Sequence, residues 1–177
     1  MINSIELLRN DILFVKLREK LLSLGTNIYG GGLRKVDSII VKKVNRRFGD
    51  PRLYAKRIAK ELGSKEAAVF LTSVDLRKYI YVEEKEEPNV YIISTIGLNN
   101  PACLDNRGYG TVNLAVITDE GLSVSGILDL FRITSEIKAS LITILGLSCG
   151  SEPAFGTTSD VTLVLSRHGN KDCNVSA

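Results

Sequence analysis

The sequence predicts a single α/β domain in which helices pack on a mixed β-sheet. Its length of 177 residues suits one domain with a sizeable core. A helical pattern at residues 123–146 lies between apolar runs at 111–118 and 161–166, and this order favours a right-handed crossover and a parallel strand pair. Two further apolar runs flank a short charged turn at Pro88 and predict a hairpin, which adds antiparallel pairing. We expect residues 1–167 to form this domain and residues 168–177 to form a flexible tail.

The first half of the chain contains three further apolar segments that indicate strands or short helices. Residues 11–17, DILFVKL, are typical of a strand. Residues 38–44, SIIVKKV, form either a strand or a short helix, because periodicity does not distinguish the two in so short a run. Residues 66–71, EAAVFL, are apolar almost throughout, which favours an interior strand.

The segment 50–63, DPRLYAKRIAKELG, predicts a helix with both ends marked. Asp50 can cap its start, Pro51 suits the first turn and Gly63 can end it. Apolar side chains four residues apart provide one buried stripe, and these are Tyr54, Ile58 and Leu62.

The composition excludes several classes of protein and of site. No apolar run approaches the ~18 residues of a membrane span, and Glu6 interrupts the N-terminal segment before a secretory signal can form. The single histidine, His168, excludes zinc sites of the HExxH type. Three cysteines without a CxxC pair support neither a disulfide framework nor a thiolate metal site, so we expect a cytoplasmic protein. The absence of Gln, with abundant Lys, Arg and Glu, hints at a thermophilic source.

Positive charge is concentrated in residues 34–60, which hold ten lysines and arginines against two aspartates. Such a segment indicates either a binding surface for nucleic acid or another anion, or a solvated face whose acidic counterpart lies elsewhere, for example at residues 83–87. We favour the solvated face, since aromatic residues are sparse there and no nucleic-acid motif occurs.

Polar loops stand between the predicted elements. They are YGGG at 29–32, VN at 44–45, LTS at 71–73, the long stretch at 95–110 and FGTTSD at 155–160. Long loops without secondary structure in a compact domain are often functional. Three glycines let a backbone approach a ligand closely or simply form a turn. The asparagines near strand ends suit amide recognition but are also ordinary turn residues.

The long helical segment at 123–146 carries the candidate catalytic side chains. At about 100° per residue, Glu136 falls on a polar stripe four residues after Arg132, so an exposed ion pair is one interpretation of it. Lys138 falls roughly opposite, among apolar residues. A lysine in that position must reach solvent, form an ion pair or point into a cavity, and desolvation would lower its pKa.

Taken together and in order, the loops resemble those of the adenosylcobinamide amidohydrolase family of archaeal cobamide salvage. The similar stretches cover residues 12–167, and they are GGG at 30–32, VN at 44–45, LTS at 71–73, TIGLNN at 95–100, GTVN at 110–113, TSEIK at 134–138 and FGTTSD at 155–160. The family has Thr-Glu-Ala-Lys where this chain has residues 135–138, and Gly-Thr-Gly-Thr-Asp where it has 156–160. The resemblance rests on the ordered set, since no single motif is specific.

The resemblance implies hydrolysis of the amide between a corrin propionyl side chain and aminopropanol, with adenosylcobyric acid as the product. The cobalt belongs to the corrinoid substrate, so no protein metal or other cofactor is expected. We expect this small molecule as the partner, no membrane, no nucleic acid and a possible homo-oligomer. A corrinoid-binding module without catalysis is the main alternative, and a nucleic-acid or nucleotide binder built on residues 34–60 is a further one.

On this interpretation Asp160 is the first candidate for the general base, and Lys138 would stabilise the oxyanion. Glu136 is the alternative base. The predicted substrate-binding residues are Gly31, Gly32, Asn45, Thr72, Asn99, Asn113, Gly156, Thr157 and Thr158. A purely structural interpretation of FGTTSD is a capped turn in which Asp160 accepts hydrogen bonds from local backbone N–H groups.

Overall fold

The computed structural model describes residues 1–45, 49–85, 89–97, 111–157 and 159–172, with backbone alone at residues 79–81, 83 and 85. Over these residues the chain forms one mixed sheet, a small separate strand pair and three helices. The strands are β1 (Ile2–Leu8), β2 (Ile12–Gly25), β3 (Gly32–Lys43), β4 (Ala67–Thr72), β5 (Ile80–Lys85), β6 (Val90–Gly97), β7 (Thr111–Leu122), β8 (Ser148–Cys149), β9 (Glu152–Pro153) and β10 (Val161–His168). The helices are α1 (Pro51–Glu61), α2 (Leu76–Tyr79) and α3 (Val124–Ile144). This arrangement confirms the predicted α/β class.

The strands of the main sheet lie in the order β4-β3-β2-β10-β7-β6-β5, and β1 also pairs with β2. The β7–α3–β10 crossover produces the predicted parallel pair, and β5 and β6 form the predicted hairpin. A second crossover, β3–α1–β4, makes β3 and β4 parallel, so the segment at 38–44 is strand. Antiparallel β2 joins the two parallel pairs, because it lies between β3 and β10.

Both long helices begin at side-chain caps. Asp50 accepts hydrogen bonds from the backbone N–H groups of Arg52 and Leu53 at 2.7 and 3.1 Å, as predicted for a helix that starts at Pro51. Ser123 caps α3 by accepting from the N–H of Gly126 at 3.0 Å. The α1 helix packs on the outer face of β3 and β4, and α3 packs on β10 and β7. The opposite face of the sheet carries the largest apolar cluster. Its residues come mainly from β2, β3, β4, β6, β7 and β10.

Strands β2 and β3 form a hairpin, and both are longer than the apolar segments at 11–17 and 38–44. β2 continues to Gly25, well past the predicted end at residue 17, because a register shift between Lys16 and Leu21 carries the pairing past a charged stretch. β1 pairs with the first half of β2 and β10 pairs with the second half. Strand β2 therefore pairs with two different strands, one along each half of its length.

The C-terminal segment and the cysteines add two observations. Lys171 bridges to Leu122 and pairs with Glu120 at 2.7 Å, whereas residues 173–177 of the predicted flexible tail lie outside the described residues. Cys149 is disulfide-bonded, which departs from the expectation drawn from the cysteine count; the other two cysteines lie outside the described residues. No described helix is both long and apolar enough to span a membrane.

The glycine run after β2 provides a test of the fold. Gly30 has φ +73°, and a Cβ built on it would lie 2.0 Å from the carbonyl oxygen of Ala67. Gly32 has φ +78° but meets nothing within 4 Å. We expect Gly32→Ala to reduce the free energy of unfolding by about 1–2 kcal/mol, for backbone strain alone. Gly30→Ala must also displace β4, so we expect a loss beyond about 4 kcal/mol.

Urea denaturation of the two variants beside the wild type measures this difference. Equal losses would mean that the contact between the 26–31 loop and β4 is not as close as described.

Candidate active site

Four strand ends meet at one edge of the sheet, which we call the site edge. β2 ends there at Gly25 and β6 ends at Gly97, while β7 begins at Thr111 and β10 begins at Val161. The registers place them together, because Gly25 pairs with Leu163, Val161 with Asn113, and Gly97 with Thr111. The second half of α3 returns to this edge, and its Ile142 packs on Val112 and Ala154.

The 155–160 turn closes on itself through the carboxylate of Asp160. Oδ2 accepts from the backbone N–H of Thr157 at 3.0 Å, and Oδ1 accepts from the Thr157 hydroxyl. A Cβ at Gly156 would lie 2.6 Å from Oδ2, so only glycine leaves room for the carboxylate to fold back. The space beside Gly156, a predicted substrate-binding residue, is therefore occupied by the carboxylate of Asp160. The structure thus contains the capped turn that the structural interpretation describes.

Asp160 also reaches beyond its own turn. Its Oδ1 accepts from the backbone N–H of Val112 at 2.8 Å, which ties the turn to the start of β7. The next contact is Thr111 Oγ1 to Ser159 Oγ at 2.8 Å. Both residues lie in motifs noted in the sequence, GTVN and FGTTSD, but sequence reasoning did not single them out because each small hydroxyl residue is ordinary in a turn.

Lys138 approaches the same carboxylate from α3. Its Nζ lies 3.7 Å from Oδ2 of Asp160, and the two side chains are 13% and 14% exposed. Burial lowers the pKa of Lys138 and the charge of Asp160 raises it, with burial the larger cause. The separation exceeds an ordinary hydrogen bond. One oxygen atom can therefore lie within hydrogen-bonding distance of both groups.

Glu136, the alternative base, lies on the other side of the helix. Arg132 donates to its Oε1 at 2.9 Å and to its Oε2 at 3.1 Å. Both side chains are more than half exposed. The structure therefore places Glu136 in the surface ion pair that its spacing allows and does not bring it to Asp160.

Asn113 is buried one pleat inside the site edge, at 1% exposure. Its Nδ2 donates to Thr95 Oγ1 at 3.0 Å, and its Oδ1 has no hydrogen-bond partner in the described part of the chain. Its amide oxygen is therefore buried without a partner, and alternation along β7 places the side chain on the sheet face away from α3. Two other predicted residues, Asn99 and Thr158, lie outside the described residues.

The remaining predicted residues lie in the other loops. Gly31 packs against the backbone of its own loop, because a Cβ built on it would lie 2.4 Å from the carbonyl oxygen of Asn27. Gly31 and Gly32 line a depression of about 470 Å³ between the 26–31 loop and two arginines, Arg34 and Arg52. Thr72 is 1% exposed and accepts from the N–H of Val74 at 3.2 Å, which makes it part of a turn.

Asn45 belongs to a larger cleft of about 780 Å³ between the end of β3 and the start of α1. Several cations of the basic segment line it, and those described are paired with acids. Lys42 contacts Asp11 at 2.5 Å, Lys43 contacts Asp75 at 3.7 Å, and Arg57 contacts Glu61 at 3.7 Å. Each described cation that lines the cleft therefore has an acidic partner. Val74, which follows β4, packs closely on Gly97. A Cβ built on Gly97 would lie 2.7 Å from the Val74 side chain.

The described residues contain no group of three His, Cys, Asp or Glu placed to hold a metal ion. The arrangement at the site edge is a buried ammonium group and a carboxylate, with the hydroxyl groups of Thr157, Thr111 and Ser159 nearby. Such groups can move protons and stabilise negative charge on oxygen.

Comparison with known proteins supplies one match. The adenosylcobinamide amidohydrolase (CbiZ) family model matches residues 2–177, nearly the whole chain. No curated protein and no solved structure matches. The match extends over every stretch that carries the resemblance seen in the sequence, including the α3 segment with Lys138 and the turn with Asp160. The chain therefore belongs to the adenosylcobinamide amidohydrolase family.

Proposed function

We propose that this protein hydrolyses the amide that joins a corrin propionyl side chain to aminopropanol in adenosylcobinamide, with adenosylcobyric acid and aminopropanol as products. The family match over residues 2–177 carries the proposal. The buried pair of Lys138 and Asp160 also supports the proposal. Amide hydrolysis can use a carboxylate as the base and an ammonium group to stabilise the oxyanion. The cobalt is part of the substrate, and we propose no further cofactor.

Amide hydrolysis makes three demands on a site. A water oxygen must lose a proton as it attacks the carbonyl carbon, the carbonyl oxygen must be stabilised as it becomes negative, and the leaving nitrogen must gain a proton as the C–N bond breaks. The balance is one water consumed, one carboxylic acid formed and one amine released.

Lys138 is placed to stabilise the oxyanion. Its ammonium group is largely removed from water, so its charge acts through a medium of lower dielectric than solvent. Burial also lowers its pKa, which suits it to pass a proton to the leaving nitrogen. The apolar face of α3 is thus the reason that this lysine differs from one on the surface.

Asp160 has one oxygen with spare capacity. Among the described residues, Oδ1 accepts two hydrogen bonds, from Val112 and Thr157, whereas Oδ2 accepts one and faces Lys138. Because a carboxylate oxygen accepts two hydrogen bonds readily, Oδ2 is the atom that takes the proton from water. The two hydrogen bonds to Oδ1 fix the orientation of the carboxylate.

The substrate's other amides need partners as well. Thr157 lies beside the carboxylate of Asp160, whereas Oδ1 of Asn113 is buried on the sheet face away from α3. Asn45, Gly31 and Gly32 lie in other depressions of the surface. We propose that Thr157 acts at the scissile amide and that Asn45, Gly31 and Gly32 contact outlying parts of the corrinoid.

The test is a mass-spectrometric assay of adenosylcobinamide turnover. We expect wild type to release adenosylcobyric acid, and Lys138→Met to lose activity by a factor of about 10² to 10³, the usual effect of one lost oxyanion donor. Asp160→Asn should lose at least as much. Glu136→Gln should retain most activity, because that carboxylate pairs with Arg132 in solvent.

Circular dichroism must accompany the assay, since Asp160→Asn leaves one of three donors without an acceptor and weakens the fold. Loss of activity in Glu136→Gln with retention in Asp160→Asn would reverse the assignment of the base. A corrinoid absorption shift in wild type without any product would indicate a binding module in place of an enzyme.

Lys138 also predicts a pH dependence of stability. Its pKa in the folded protein lies below the ordinary value of 10.5, so between those two pH values the unfolded chain binds more protons than the folded one. Stability therefore rises with pH in that window, and below it the cost of burying the charge is fully present. We expect wild type to gain in free energy of unfolding relative to Lys138→Met as pH rises from 7 towards 10.

Urea titrations at several pH values measure that difference. Lys56→Met, which removes an exposed lysine of α1, is the matched control. A flat difference for Lys138→Met would mean that the lysine is as well solvated as Lys56.

A further inference from the structure

The second half of α3 carries an exposed apolar stripe beside Lys138, composed of Ile137, Leu141, Ile144 and Leu145. Their exposed fractions are 53%, 51%, 77% and 60%. Ile137 is four residues before Leu141, and Ile144 and Leu145 are three and four residues after it, so each of the three lies next to Leu141 on the helix surface. Single exposed apolar residues need no explanation, but a contiguous run of four is typical of a contact surface.

The stripe adjoins the buried pair. Leu141 is one turn from Lys138 and follows it by three residues, about 4.5 Å along the axis. Phe155, also 57% exposed, extends the apolar surface from the other side. It follows Ala154, which packs on Ile142 of α3, and precedes Gly156, which lies against the carboxylate of Asp160.

We propose that the stripe and Phe155 bind one face of the corrin macrocycle, so that a side-chain amide of the ring reaches Lys138 and Asp160. This inference rests on the proposed function. A corrin is a broad ring whose faces carry methyl and methylene groups and whose amides project from its rim. Such a ligand needs an apolar surface for the ring and polar groups at one border of that surface. The α3 stripe with its adjoining ion pair has this arrangement.

Charge distribution agrees with this placement. The three charged residues of α3 that precede the stripe form one group, in which Arg132 pairs with both Asp129 and Glu136. The four stripe positions themselves carry no charged side chain, and Lys138 follows Ile137 directly. A neutral apolar ring face therefore meets no desolvated charge until its rim arrives at the buried pair.

The test compares Leu141→Gln with Leu128→Gln. The two leucines lie on the same helix with nearly equal exposure, 51% and 53%, but Leu128 is ten residues before Lys138, about 15 Å along the axis. Glutamine has a helix propensity similar to that of leucine, so neither change should disturb α3. We expect Leu141→Gln to raise KM for adenosylcobinamide about five- to tenfold with little change in kcat, the effect of one partly buried leucine. Leu128→Gln should match wild type.

Binding of adenosylcobyric acid, followed by isothermal titration calorimetry, separates this inference from the proposed function. That product keeps the ring but lacks the scissile amide. Weaker binding by Leu141→Gln than by Leu128→Gln supports the ring surface even if no hydrolysis is detected. Hydrolysis by wild type with equal KM in both variants would overturn the ring surface and leave the function intact.

Light scattering addresses the competing occupant, a second copy of this chain. If Leu141→Gln converts a dimer into a monomer while KM stays constant, the stripe is a subunit interface and the inference is wrong. If the mass is the same for wild type and both variants and KM rises in Leu141→Gln alone, the ring surface is supported.

Discussion

The carboxylate of Asp160 joins three parts of the chain at the site edge. It accepts hydrogen bonds from its own turn through Thr157 and from the start of β7 through Val112, and it faces Lys138 on α3. A carboxylate that is largely removed from water must find donors, because an unpaired buried charge is very costly. Backbone N–H groups of the turn and of β7 meet this need. The position of the turn, the start of β7 and the approach of α3 are thereby linked to one side chain.

Lys138 has a different relation to the fold. Its environment disfavours the charged form, since burial outweighs the attraction of Asp160. A lysine in this state contributes little to stability, whereas a methionine or leucine at the same place on α3 would pack without that cost. Groups with such perturbed pKa values are concentrated at functional sites. Lys42 differs from Lys138, because this buried lysine contacts its partner Asp11 directly, at 2.5 Å.

Much of this architecture follows from local sequence signals. Asp50 and Pro51 mark the start of α1, and the order of the segments at 111–118, 123–146 and 161–166 predicts the parallel pair β7–β10. The second half of β2 was not predicted, since charged residues interrupt its alternation and only the partners β3 and β10 make it a strand. The N-terminal strand β1 was missed for a related reason, as it is largely exposed and lacks a clear apolar face.

The site was predictable in part. The apolar setting of Lys138 predicts an unusual lysine, and the polar turn at 155–160 predicts a constrained carboxylate. Their proximity depends on how α3 returns over β10, which no spacing within either segment reveals. The sequence equally could not decide whether Gly156 makes room for a ligand or for Asp160. The exposed stripe of α3 gave no signal at all, because an apolar residue in a helix predicts burial until the packing partners are known.

The most direct measurement is an NMR titration of the lysine side chains, with ¹³C label at Cε and the Lys138→Met spectrum to identify one resonance. The account predicts that the Lys138 signal titrates below the ordinary lysine range, and that addition of adenosylcobyric acid shifts this signal more than those of Lys42 and Lys56. A Lys138 signal that titrates with the surface lysines and does not respond to the corrinoid would contradict the claim that the buried pair is the active site.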